Sequence, residues 1–118
     1  MMVENAKIVG TTISMADHGL LTFFLILKGQ GWGVSFGGRC IGKGYLGAEK
    51  FEGYDKGLEC LMRIMDTIGV ERWEDLEGKL CRVESHGWGG DIHKIGNIIE
   101  DKWFDLNEFF DESEVGTS

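Results

Sequence analysis

Two hydrophobic periods run along this chain, and the switches between them mark out its elements. Residues 3–9 read as a short strand ending at Gly10, which Thr11, Thr12 and Ile13 can extend. Residues 15–19 (Met-Ala-Asp-His-Gly) read as a turn, because Asp17 and Gly19 favour bends. Residues 20–28 form a strand rich in Leu, Phe and Ile. It is apolar on both parities, so both of its faces are expected to be covered, one of them by a partner subunit. Residues 32–40 set Trp32, Val34 and Phe36 against Gly33, Ser35 and Gly37, the period of a strand. The three strands predict an antiparallel meander.

The period then changes. After a glycine-rich, irregular stretch at 40–53, Leu58, Leu61, Met62, Met65 and Ile68 recur at spacings of three and four. That spacing predicts a helix over 54–68, its apolar stripe laid on a sheet, with Asp55, Lys56, Glu59, Arg63 and Asp66 opposite. Gly69 is a natural stop. Burying such a stripe contributes about 1.5–3 kcal/mol per large side chain. Residues 71–76 predict a short helical turn with Trp73 and Leu76 inward. Strands are expected at 79–84 and 92–99, separated by a glycine-rich loop at 85–90 and followed by a polar turn at 100–102. A last helix over 105–110 has Asp105 as N-cap, Glu108 at the capping-box spacing, and Phe109 and Phe110 as anchors. Strands follow one another rather than alternating with helices. The fold class is therefore α+β: an antiparallel sheet of five or six strands, one long amphipathic helix packed on it and a short C-terminal helix. Residues 1–112 read as a single domain and 113–118 as a flexible acidic tail.

Composition sharpens this picture in three ways. Nineteen of 118 residues are glycine and none is proline, against about 7% glycine in an average protein. Turns and close backbone approaches therefore fall to glycine. The net charge is −8, which argues against duplex DNA as a partner. It is compatible with simple solubility or with an acidic protein that binds a basic protein surface. Cys40, Cys60 and Cys81 are odd in number and lack CxxC spacing, as expected of reduced, buried thiols in a cytosolic protein. The longest apolar run, 20–27, is broken by Thr22 and is too short to span a bilayer. No targeting segment stands out, so a cytoplasmic location is expected.

Few motifs carry chemistry. Gly37 to Gly44 nearly spells a phosphate loop, but Gly44 replaces the hydroxyl residue that holds magnesium, and no helix is expected to start there. What survives is an anion held by backbone amides with Arg39 and Lys43. Trp32 and Trp88 are each flanked by glycine. Trp32 reads as a core strand residue. Trp88, between Gly87 and Gly89, either closes over a planar ligand or packs at an interface. Asn97, in an otherwise apolar strand, either satisfies a local loop or reads a base or ribose edge. His18, His86, His93 and Asp91 lack metal-site spacing, and no nucleophile–base motif is present, so neither a metal, a cofactor nor an enzyme is expected.

Glu4-Asn5-Ala6-Lys7-Ile8, Asp17-His18-Gly19 and Phe36-Gly37-Gly38 are followed by the amphipathic helix and Val70-Glu71-Arg72-Trp73-Glu74-Asp75-Leu76. Gly87-Trp88-Gly89, Ile95-Gly96-Asn97-Ile98-Ile99 and Asp101-Lys102-Trp103-Phe104 complete the series. In that order, over nearly the whole chain, they resemble the type-one Thoeris anti-defence family. The resemblance implies a phage protein acting in the host cytosol as a sponge. Such a protein sequesters cyclic ADP-ribose isomers without degrading them, and is built from an antiparallel sheet and long helices assembled as homodimers or trimers of dimers. It implies a ligand site at Trp88, Gly89 and Asn97. Cations for the pyrophosphate would come from Arg39, Lys43, Lys50, Lys94 or Lys102. Where the family uses arginine near the start of the long helix, this chain has Lys50, Phe51 and Glu52, so a second, cyclic-oligonucleotide site is not implied. The competing expectation is an acidic, anti-CRISPR-like inhibitor that binds a basic host defence protein.

Overall fold

The computed structural model describes residues 2–45, 50–85 and 92–115. The elements run β1 (Met2–Asp17), β2 (Leu20–Gly29), β3 (Trp32–Tyr45), β4 (Lys50–Gly53), α1 (Asp55–Ile68), a 3-10 turn (Trp73–Leu76), β5 (Leu80–Ser85), β6 (Lys94–Asn97), β7 (Trp103–Asp105) and α2 (Leu106–Val115). All seven strands form one antiparallel sheet in the order β4-β3-β2-β1-β5-β6-β7. The architecture is α+β, with one main helix and a short C-terminal one. The strand count of five or six is corrected to seven. Two strands fall outside the expected segments: β7, after the polar turn at 100–102, and β4, inside the glycine-rich stretch that reads as irregular. Residues Lys50 to Gly53 of β4 pair with Tyr45 back to Gly42.

The meander forms because its turns and its inner face agree. His18 and Gly19 both take positive φ (52° and 83°), the geometry of a two-residue turn whose twist matches its strands, and Asp17 pairs with Leu20 across it. Strand β2 then sends Phe23, Leu25 and Leu27 inward, all fully buried. Phe24 and Ile26 on its other face are half-buried. The Phe24 ring lies close to Gly38, where a Cβ would come within 3.0 Å of it. The second apolar parity of β2 is thus partly covered by its own sheet. Ile8, Phe36, Cys81, Val83 and Ile95 continue the core across the sheet, and Cys60 and Ile64 close it from α1.

Helix α1 occupies nearly the predicted residues, and Gly69 ends it in the left-handed conformation (φ 94°) with its N–H donating to Met65 O at 2.8 Å. Its orientation corrects the predicted stripe. The buried face is Gly57, Cys60, Ile64, Thr67 and Ile68, whereas Leu58 and Met62 are 61% and 64% exposed. The reason is steric. A Cβ at Gly57 would stand 2.5 Å from Ile41 Cβ, so the helix turns its small residues to the sheet and approaches closely. The 3-10 turn buries Leu76 and sets Trp73 edge-on to Phe23, with ring centroids 6.4 Å apart. Helix α2 runs on past Asp111 to Val115, further than the sequence pattern suggests. Among the described residues no helix is long and apolar enough to cross a membrane.

Candidate ligand-binding site

Strand β3 is paired differently along its two halves. From Gly42 to Tyr45 it has β4 on its outer side, but from Trp32 to Cys40 it pairs only with β2. The sheet curls until this open edge faces Ile92, His93 and the first turn of α2, although β3 and β7 lie near opposite ends of the strand order. A cavity of about 270 Å³ remains in the seam. Val34, Ser35, Gly37 and Arg39 form one wall, and Ile92, His93, Leu106 and Asn107 the other.

Arg39 reaches this cavity through a bulge. Thr22 pairs with Cys40 and Phe24 with Gly37, so β3 carries one residue more than β2 between those pairs. Gly37 and Gly38 absorb it with φ of 120° and 86°, which a side chain rarely tolerates. The Arg39 guanidinium donates to Asn107 Oδ1 at 2.9 Å and stands 5.1 Å from the Phe110 ring centre. Among the described residues it has no carboxylate partner. Lys56 and Arg63 of α1 lie over Phe109, at 4.2 and 5.5 Å, so α2 rests its two phenylalanines on three cations.

His93 is fixed on the opposite wall. Its Nδ1 lies 3.1 Å from Asp105 Oδ1, and its carbonyl accepts the Leu106 N–H at 2.7 Å. Asp105 also caps α2, accepting the Glu108 N–H at 3.0 Å. Partial burial works to raise the Asp105 carboxyl. The bonds from Glu108, His93 and Asn107 outweigh it and hold the group below the usual carboxylate range. Cys60 of α1 is pushed up to about 12 by burial, against the pull of the Arg39 charge, and Cys81 up to about 11 by burial. Both stay thiols at neutral pH. Among the described residues no three His, Cys, Asp or Glu side chains gather as a metal site requires.

The residues singled out from sequence are dispersed. Among the described residues, Arg39 alone of the predicted ligand contacts lines the cavity. Asn97 lies at the far end of α1, where its Nδ2 donates to Thr67 O (3.0 Å) and Ile68 O (3.2 Å). Its Oδ1 accepts from the N–H groups of Ile99 and Glu100, both at 2.9 Å. The carboxamide is committed to fastening the helix C-terminus to the β6–β7 turn. Lys102 is beside it, donating to Asp66 O and Oδ1 at 3.3 Å. Lys43 is inside β3, across from Leu20 and Glu52. Residues 37–44 are strand rather than a phosphate loop. Lys94 pairs with Glu84 at 3.3 Å, and Lys50 lies in β4. Trp88 and Gly89 lie outside the described residues, as do His86 and Asp91. Sequence reasoning passes over His93 as a cavity residue and gives no weight to Ser35 or Asn107. The only local signal is Asp105 as N-cap, which places the start of α2.

Chemically, the seam offers a guanidinium, an imidazole, a carboxamide and an open strand edge. Such a set recognises anionic and carbonyl oxygens and the polar edge of a planar ring. No known protein family, no curated protein and no solved structure matches this chain.

Proposed function

We propose that this protein binds a small nucleotide-type signal of the cyclic ADP-ribose class in the seam cavity and sequesters it without cleavage. The observation that carries the reading is Arg39. In a chain with 20 acidic and 12 basic residues, a cavity-lining arginine has no carboxylate partner among the described residues. A phosphate is the natural complement of a guanidinium so placed. The open edge of β3 supplies backbone donors and acceptors for a heterocycle or ribose. Ile92 and His93, which form the facing wall, are the first described residues after the segment that carries Trp88. The cavity volume of about 270 Å³ falls just below the usual span of ligand pockets, about 300–1,000 Å³. It suits one phosphoribosyl portion, with the remainder of a dinucleotide at the mouth.

The test is capture and release. Purified protein is mixed with cyclic ADP-ribose isomers, washed, denatured by heat, and the supernatant analysed by mass spectrometry. Intact ligand in stoichiometric amount supports the proposal. No uptake, or recovery of a hydrolysed product, overturns it. Trp88→Ala should weaken uptake alongside Arg39→Ala, since base stacking is worth about 1–3 kcal/mol.

A further inference from the structure

Strand β1 is covered on its two sides over different lengths. On one side β2 pairs with it from Lys7 to Asp17. On the other, β5 pairs with it only from Met2 to Lys7. The turn before β5 then seals Ile8, whose N–H donates to Lys79 O at 2.9 Å and whose carbonyl accepts the Gly78 N–H at 2.6 Å. From Gly10 onward the β5 side of β1 carries no strand among the described residues. Bulges at 8–10 and 14–17 bracket a stretch in regular register, 10–14 opposite 26–22. Alternate residues there direct their N–H and C=O groups away from β2, to the open side.

Open edges are ordinarily blunted by proline or by charged side chains, lysine above all. Residues 9–16 (Val-Gly-Thr-Thr-Ile-Ser-Met-Ala) hold no proline and no charge of either sign. At the centre of the stretch, Thr11, Thr12 and Ile13 are all β-branched, the type that favours pairing. Ile13 is 43% exposed although it pairs with Phe23, which is fully buried. The core face of the sheet therefore runs on past its cover at this edge. Trp73, half-buried, stands edge-on to the same Phe23. A strand added along 10–14 would set its inward side chains beside Ile13 and Trp73, and every backbone group on the open side would gain a partner.

A second copy of β1 does not fit there. Laid antiparallel about Thr12, it would drive its Ala16 and Asp17 into the space held by Gly78 and Lys79. Laid parallel, it would drive its own Lys7 and Ile8 there. The occupant has to end or turn away before Gly78. At that boundary Glu77 is exposed and has no ion pair or hydrogen bond among the described residues. We propose that the open side of β1 over residues 10–14 is a docking edge for an extended segment of another protein. The segment adds as an antiparallel strand in line with β5, alternates apolar and polar side chains, and carries a lysine or arginine where it ends beside Glu77. The backbone ladder supplies the affinity of such a contact, and the alternating side chains and the terminal charge its specificity.

The probe is a fluorescein-labelled peptide of about eight residues, alternating valine and threonine and ending in two lysines, titrated against the purified full chain. Anisotropy should report binding, and a twin peptide ending in two glutamates should bind more weakly. Amide exchange followed by NMR should slow at alternate residues within 10–14 when the peptide is present, and stay unchanged along β5. Ile13→Lys puts a charge on the edge and should weaken binding at least about tenfold, whereas Ile13→Val should leave it within about twofold. Glu77→Lys should reverse the preference between the two peptides, by about threefold each way. Positions 13 and 77 are exposed, and circular dichroism should show all three variants folded. No binding by either peptide up to about 1 mM overturns the proposal. Binding that Ile13→Lys leaves intact, or protection that falls elsewhere than 10–14, overturns it as well. So does slow exchange at those outward amides in the free protein, which would mean that a second copy or another part of the chain already covers the edge.

Discussion

Two polar side chains, Asn97 and Arg39, lie at opposite ends of α1's neighbourhood and use their hydrogen-bonding capacity in opposite ways. Asn97 makes four bonds, all to the protein's own backbone, at 2.9–3.2 Å. Nothing of its carboxamide is left for a ligand. Among the described residues Arg39 makes one side-chain bond, to Asn107; it leans on Phe110 and borders a cavity. A guanidinium has five donors, so the bond to Asn107 uses only a small part of its capacity. A polar residue whose bonds close on the fold holds that fold together. One whose bonds stay open at a cavity has something to offer a ligand.

Substitutions can break that contrast. The largest effect is expected from Asn97→Ala, which strips the α1 C-terminus and the β6–β7 turn of their shared partner. A loss of about 2–3 kcal/mol in urea unfolding is expected, with ligand uptake per folded molecule unchanged. A loss below about 0.5 kcal/mol would remove the structural role assigned to the carboxamide. Arg39→Ala should do the reverse. Ligand affinity measured by calorimetry should fall about 10–100-fold, as a charge-assisted bond of about 1.5–3 kcal/mol implies, while stability changes by no more than about 1 kcal/mol. Asn107→Ala is smaller again. It frees the guanidinium from its tether, and affinity should drop about threefold while unfolding changes by about 1 kcal/mol.

The smallest effect is a pH dependence at the facing wall. The Asp105 carboxyl is held below its unfolded value of about 3.9. Its contribution to stability is therefore fully present above that pH and is lost as the pH falls through the folded value. Denaturant titrations between about pH 5 and pH 3 should show a shallower loss in Asp105→Asn than in wild type. Identical slopes would show that the bonds from His93 and Glu108 do not reach the folding equilibrium.

The parts legible in the sequence are those governed by local rules. Alternation marks β3 and a continuous apolar run β2, Gly69 marks the end of α1, and Asp105 the start of α2. An asparagine in an apolar strand signals a special position, but not what it bonds to, because Thr67 O lies 30 residues away. Periodicity misplaces the facing of α1 because it ranks residues by hydrophobicity. Here the closest approach is won by the smallest residue, Gly57 over Ile41. Strand β4 escapes a sequence reading because Lys50, Phe51, Glu52 and Gly53 have no inward parity of their own, and only pairing with β3 makes them a strand. The cavity is out of reach for a different reason. Arg39 and Asn107 are 68 residues apart and meet only when the sheet curls.

The place of β1 in the sheet sets a clock for biosynthesis. Its residues 2–7 pair with 85–80 on β5, while the rest of its length lies against β2. The meander can zip up as soon as its own residues emerge, because its contacts are local. The seam half must wait until β5 has left the ribosome and found the opposite edge of β1. Until then that edge stands open, and the nascent chain is a four-stranded half-sheet looking for a fifth.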